Sequence, residues 1–176
     1  MNNPDIKTAI KEVQEKCLEH DQQLADMFVP VTLTHVTVLV FYAEQENIEA
    51  VKDIIADAIK NNDINLFDVK FEGLGSFNKN QILFAKPAEG GDNLKHLNNV
   101  CYTALTNRGF ICNDKSYNPH LTIMKKGETV KSVPDEAFAG EEEKYFGVER
   151  VSEIQLCLMG EERDGYYNIV GQWGLS

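Results

Sequence analysis

Asn118-Pro119-His120-Leu121-Thr122-Ile123-Met124 is the stretch on which the reading of this chain turns. A short apolar run behind a proline predicts a strand. Side chains two apart in a strand face the same way. His120 and Thr122 therefore share one face, and Leu121 and Ile123 share the other. The pattern sets an acid–base group beside a hydroxyl donor on a rigid element. One His-x-Thr alone is weak evidence, because a strand with one polar face needs no function. The pattern recurs, however, at Thr34-His35-Val36-Thr37-Val38-Leu39-Val40, where His35 and Thr37 again share a face. The chain has four histidines, and two of them stand in matching strand contexts.

The 176 residues suit a single domain, 1–176, with enough chain for a proper core. A net charge of −11, from 17 basic and 28 acidic residues, argues against duplex nucleic acid or an anionic membrane as partner. A small phosphate ligand in a locally basic pocket stays compatible with it. No run of 18 apolar residues occurs, and Met1-Asn2-Asn3-Pro4 begins neither a signal peptide nor a myristoylation motif. Cys17, Cys101, Cys112 and Cys157 are scattered among apolar neighbours, which reads as free core thiols in a cytoplasmic protein, with the nucleus as the alternative.

Apolar spacing predicts a first helix from Pro4 to Phe28 and a strand from Val31 to Tyr42. A second helix over Ile48–Ile59 follows, with Asn47 as its cap. Leu66–Phe71 reads as a strand, Gly73-Leu74-Gly75-Ser76 as a turn, and Gln81–Lys86 as the hairpin partner. A third helix runs from Gly90-Gly91-Asp92 to Gly109, and Phe110–Tyr117 leads into the His120 strand. Pro134–Glu143 reads as a short acidic helix, and Ser152–Met159 and Gly165–Val170 as the last strands. Mixed elements in one unit imply α+β. A faint repeat is also visible, since each half has a long helix followed by an apolar strand with His-x-Thr.

A phosphodiester cleaved without metal needs a base for the attacking oxygen and an acid for the leaving one. Two imidazoles, with ordinary pKa values near 6.5, can supply both. Two hydroxyls can hold the non-bridging oxygens as charge develops. Lys115, Lys125 and Lys126 could offset the acidic surface locally. Two histidines with no carboxylate or cysteine at ligand spacing speak against a metal site. His20 and His96 fall on predicted helices among charged residues and read as surface groups.

With both motifs in view the chain resembles the 2H phosphoesterase superfamily, and within it a 2′,5′-phosphodiesterase subgroup. The resemblance rests on Leu33 to Val40, Gly73-Leu74-Gly75-Ser76-Phe77, Ala88-Glu89-Gly90, Ser116 to Lys125, and Asp164-Gly165-Tyr166-Tyr167. It implies a bilobal, duplicated, LigT-like α+β fold, with two antiparallel sheets flanking a cleft and helices outside. It implies acid–base roles for His35 and His120 and phosphate-binding roles for Thr37 and Thr122. Lys115, Tyr117, Lys125 and Tyr166 are the expected substrate contacts. Lys115 stands where relatives carry arginine, and it lacks the planar fork that grips two oxygens. The implied substrate is 2′,5′-oligoadenylate, the implied ligands are adenine nucleotides or short oligonucleotides, and no cofactor is expected. Alternatives are a non-catalytic adenine-nucleotide-binding module, a 2′,3′-cyclic phosphodiesterase and an RNA 3′-end trimming enzyme. Relatives open with a strand that Met1-Asn2-Asn3 is too short to supply. Relatives that anchor protein kinase A carry a further amphipathic helix, which is not seen after Trp173, so kinase anchoring is not expected. The chain is expected to be a monomer.

Overall fold

The structure, a computed structural model, describes residues 3–113, 116–163 and 165–176. In chain order its helices and strands are α1 (Pro4–His20), β1 (Phe41–Tyr42), α2 (Ile48–Asn61), β2 (Phe67–Phe77), β3 (Ile82–Glu89), α3 (Gly91–Thr106), β4 (Ile111–Cys112), β5 (Leu121–Lys125), β6 (Tyr145–Val151), β7 (Glu153–Arg163) and β8 (Tyr166–Gly174). The chain passes repeatedly between two compact units. One holds residues 1–36, 68–89 and 120–149, the other residues 37–67, 90–119 and 150–176.

In the first unit α1 starts where the Asn3 side chain accepts from the N–H groups of Asp5 (2.8 Å) and Ile6 (3.3 Å), with Pro4 as its first residue. Ile6, Ala9, Ile10, Val13 and Cys17 form its buried stripe. The helix expected to reach Phe28 stops at His20. Asp21 is extended, and its carboxylate caps a separate 3₁₀ helix, Gln22–Met27, through the Gln23 N–H at 2.9 Å. A local cap therefore outweighs the apolar periodicity.

The sheet of this unit has the order β5-β3-β2-β6. The Gly73-Leu74-Gly75-Ser76 segment is not a turn. β2 runs through it, and a register shift between Phe71 and Leu74 absorbs Gly73, whose φ is +82°. The reversal comes at Asn78-Lys79-Asn80, all three with positive φ. β6 lies in a stretch without strong alternation and was not expected, and the acidic helix after Pro134 is only a 3₁₀ turn, Asp135–Ala137. Leu83 and Ala85 of β3 and Leu121 and Ile123 of β5 are wholly buried, as are Ile6, Ile10 and Val13 of α1. The buried amide of Gln14 donates to the carbonyls of Val29 (2.9 Å) and Ile123 (3.1 Å), tying α1 to β5. Truncating Ile123 to alanine removes buried methylenes at a site walled by helix and sheet. It should cost about 2–5 kcal/mol of stability, read as a shifted denaturation midpoint at constant slope.

In the second unit α2 packs on α3. Val51, Ile55, Ala58 and Ile59 meet Leu97, Val100, Cys101 and Leu105, and Ile154, Leu156 and Trp173 of the β7–β8 hairpin close over the same cluster. Asn47 is helical and makes no side-chain cap; the 3₁₀ turn Gln45–Asn47 leads into α2 instead. Gly90 adopts φ +78° ahead of α3. All four cysteines are free. Cys17 and Cys101 are buried, which pushes both thiols up to about 11, whereas Cys112 and Cys157 are only half-buried. The sequence halves are not the units: α1 shares a unit with the His120 strand, and α3 shares one with α2.

Candidate functional site

The first unit holds His35, His120, Thr122 and Lys125, and the second holds Thr37, Tyr117 and Tyr166. Lys115 lies outside the described residues.

The approach to His35 is a tight turn. The Leu33 N–H donates to the Pro30 carbonyl (2.8 Å), and the buried Thr34 hydroxyl donates to the Val31 carbonyl (2.9 Å). Residues 31–40 were expected to form a strand, but only Phe41–Tyr42 is paired in a ladder. Phe28 bridges Met124 and Val36 bridges Leu121, and the turn at Pro30–Leu33 interrupts the pairing between those two points. Beyond Val36 the carbonyls bond elsewhere. Thr37 accepts from the Tyr117 hydroxyl (3.0 Å), Val38 from the Asn98 amide (2.7 Å) and Val40 from the Asn113 N–H (2.9 Å). Exposure still alternates along the segment: His35 and Thr37 are open to solvent, and Val36 and Val38 are half-buried. The two-residue period predicted for the motif is thus present without a regular strand.

The antiparallel bridge between Val36 and Leu121 joins the two motifs, since each bridging residue directly follows a histidine. His35 Nδ1 lies 2.9 Å from the Leu33 carbonyl. A carbonyl only accepts, so the proton of the neutral ring is held on Nδ1 and Nε2 is the basic nitrogen. His35 reaches solvent, yet the protein atoms massed around it lower its pKa below the usual imidazole value. The Leu33 bond opposes that effect, and the charges of Lys125 and His120 add to it.

His120 stands immediately before β5. Thr122 is the ladder partner of Phe84 on β3, and the His120 ring lies 5.1 Å from the Phe77 ring and 5.3 Å from the Phe84 ring, centroid to centroid. Lys125 is exposed at the end of β5. The loop after it is pinned by Asp26, whose carboxylate accepts from the N–H groups of Thr129 (2.7 Å) and Val130 (2.8 Å). These bonds hold its pKa below the usual carboxylate value. Sequence reasoning missed Asp26, Phe77 and Phe84, because each acts on residues distant in the chain. The neighbouring Gly75 could have signalled a close approach, but its segment reads as a turn from composition.

In the second unit burial raises the pKa of the Tyr117 hydroxyl, and the Tyr166 hydroxyl donates to Gln155 Oε1 at 3.3 Å. His20 and His96 are exposed, as their charged surroundings predicted. Among the described residues no three His, Cys, Asp or Glu side chains gather as a metal-ligand group.

An α+β fold with antiparallel sheets and two His-x-Thr motifs defines a domain of the 2H phosphoesterase type. The chain belongs to the family described as the AKAP7 2′5′ RNA ligase-like domain, whose model matches residues 1–175. It is 29% identical over 191 residues to human A-kinase anchor protein 7 isoform gamma. The match covers 96% of this chain but 53% of that protein, so the chain spans about half its relative's length. Its fold is similar to that of Escherichia coli LigT in the apo form, with a TM-score of 0.68 and 15% identity, covering 99% of this chain and 92% of LigT. LigT complexed with 3′-AMP aligns at a TM-score of 0.63 and 14% identity, over 94% of this chain and 92% of LigT.

Proposed function

We propose that this domain is a metal-independent phosphodiesterase that cleaves 2′,5′-oligoadenylates or related short oligonucleotides. The observation that carries the reading is the Val36–Leu121 bridge, which brings two histidines and Thr122 into one unit, with the charge of His120 felt at His35. The family membership supports the reaction class, and the 3′-AMP and ATP complexes of LigT support a nucleotide as ligand.

His35 is the better general base. Its lowered pKa keeps it neutral near pH 7, and Nε2 carries the lone pair. In a 2′,5′-linkage the free 3′-hydroxyl lies next to the phosphorus. His35 takes its proton, and the 3′-oxygen attacks in line. The bond to the 5′-oxygen breaks, and His120 protonates that oxygen. Thr37 and Thr122 hydroxyls hold the non-bridging oxygens. Lys115, Tyr117, Lys125 and Tyr166 are the proposed substrate contacts. The nucleophile is intramolecular, so proximity lowers the barrier and no activated water is required.

The first products should be a 2′,3′-cyclic phosphate and a 5′-hydroxyl, formed at full rate in EDTA. Mass spectrometry separates the cyclic from the linear phosphate by one water. A linear 5′-phosphate, or activity lost in EDTA and restored by Mg²⁺, would sink the reading. Binding of adenine nucleotides without turnover would favour the non-catalytic module.

The pH dependence follows from His35. Because its folded pKa is depressed, the acidic limb of the rate profile should lie below the ordinary imidazole value of about 6.5. The unfolded chain binds this proton more tightly. The stability His35 contributes is therefore present above about pH 6.5 and is lost as pH falls through its lower folded pKa. Denaturation midpoints of wild type and His35→Gln, compared between pH 7.5 and pH 5.5, should show the larger loss in wild type.

A further inference from the structure

We propose that Phe84 and Phe77, seated by Gly75, are positioning residues that set the direction of the His120 ring. The proposal rests on the acid role assigned to His120 above.

β2, β3 and the residue just before β5 bring Phe77, Phe84 and His120 into mutual contact. The Phe77 and Phe84 rings lie 4.3 Å apart with their planes 30° from parallel. His120 meets Phe77 edge-on, at 88°, and Phe84 at 60°. Such tilted and edge-on contacts between rings are directional and favour particular orientations over free rotation. His120 precedes the first ladder residue of β5, Leu121, so the ladder does not define its rotamer. The two phenyl rings pack directly against the His120 ring.

Gly75 explains how Phe84 reaches that place. It pairs with Phe84 across the β2–β3 ladder. A Cβ built on Gly75 would lie 2.5 Å from Phe84 Cε2 and 2.6 Å from Cζ, which no real side chain tolerates. Gly75 is not among the glycines with positive φ, so the backbone does not demand glycine here. The space does. The missing side chain lets the Phe84 ring lie over Gly75 of β2, in contact with both Phe77 and His120. One strand further along the row stands Thr122, the proposed phosphate contact and the partner of Phe84 on the other side. Gly75, Phe84 and Thr122 thus form one row across three strands, with His120 beside it, and the seat holds acid and hydroxyl in fixed relation.

The test compares Gly75→Ala, Phe84→Leu and the half-buried Phe77→Leu with Phe84→Tyr, which keeps the ring. Turnover of 2′,5′-linked triadenylate by the full chain is measured together with the His120 ring-proton resonances. His20 and His96, both exposed, serve as internal standards. Gly75→Ala, Phe84→Leu and Phe77→Leu should each lower kcat by about 10- to 100-fold, the scale of a misaligned catalytic group, while KM changes little. The His120 resonances should move toward those of His20 and His96 as the flanking rings are lost or displaced. Phe84→Tyr should keep both rate and resonances. If Gly75→Ala does not fold, Phe77→Leu decides. His120 resonances unmoved in Phe84→Leu and Phe77→Leu would overturn the proposal. So would a lower Tm with kcat per folded molecule unchanged. If wild type turned over no phosphodiester, the functional reading would fall, whereas the ring seat would stand or fall on the resonances alone.

Discussion

Replacing His120 by alanine is expected to lower turnover by about 10²–10⁴-fold, the usual contribution of a positioned acid or base. The leaving 5′-oxygen would then depart without a proton. The fold should survive, because His120 is only half-buried and the core side of β5 is built by Leu121 and Ile123. His35→Ala should show a loss of the same order, because its lowered pKa and the Nδ1 bond to the Leu33 carbonyl prepare Nε2 to accept the first proton. The two losses should not add. Once one half of a coupled proton transfer is gone, removing the other costs little, so the double variant should resemble either single one. Steady-state rates of pure protein in EDTA provide the check. Retention of more than about a tenth of wild-type rate in His120→Ala would remove this group from the reaction, since even a weak acid–base role exceeds that.

The next largest effect is expected at Thr122. Valine keeps the shape and strand preference of threonine but lacks the hydroxyl. Thr122→Val should lower kcat by roughly one to three powers of ten, as for a single donor aimed at developing negative charge. Ladder pairing with Phe84 uses the Thr122 backbone and is untouched by the change. Stability should therefore hold. A thermal melt that collapsed while kcat per folded molecule was retained would instead assign the hydroxyl a purely structural duty. Thr37→Val provides a second reading of the same kind in the other unit. Its carbonyl bond from Tyr117 survives the substitution, so any loss of rate reports the hydroxyl alone.

The features legible from sequence were those written in local pattern. The stripe Ile6, Ala9, Ile10, Val13 specifies α1 because helical neighbours lie three and four apart, and α2 and α3 follow the same rule. Leu121 and Ile123 alternate with Thr122, so β5 and its buried face could be read directly. The two His-x-Thr motifs identified the superfamily for the same reason, since their spacing is local.

Other features depended on partners far along the chain. Beyond the single bridge from Val36 to Leu121, the first motif bonds to Tyr117, Asn98 and Asn113, and nothing in residues 31–40 announces that. α1 ends at His20 because Asp21 takes up a capping conformation, although the apolar spacing continues to Phe28. β6 has no strong period of its own and exists beside β2. The glycines of Gly73-Leu74-Gly75-Ser76 looked like a turn from composition. Gly73 instead serves a bulge, and Gly75 makes room for Phe84. Sequence by itself thus singled out the two His-x-Thr motifs and determined which faces are apolar, because both patterns are periodic within a few residues. The seating of His120 against two rings and the pKa of His35 were decided only by tertiary structure, because desolvation and ring contact come from atoms that sequence distance does not bring together.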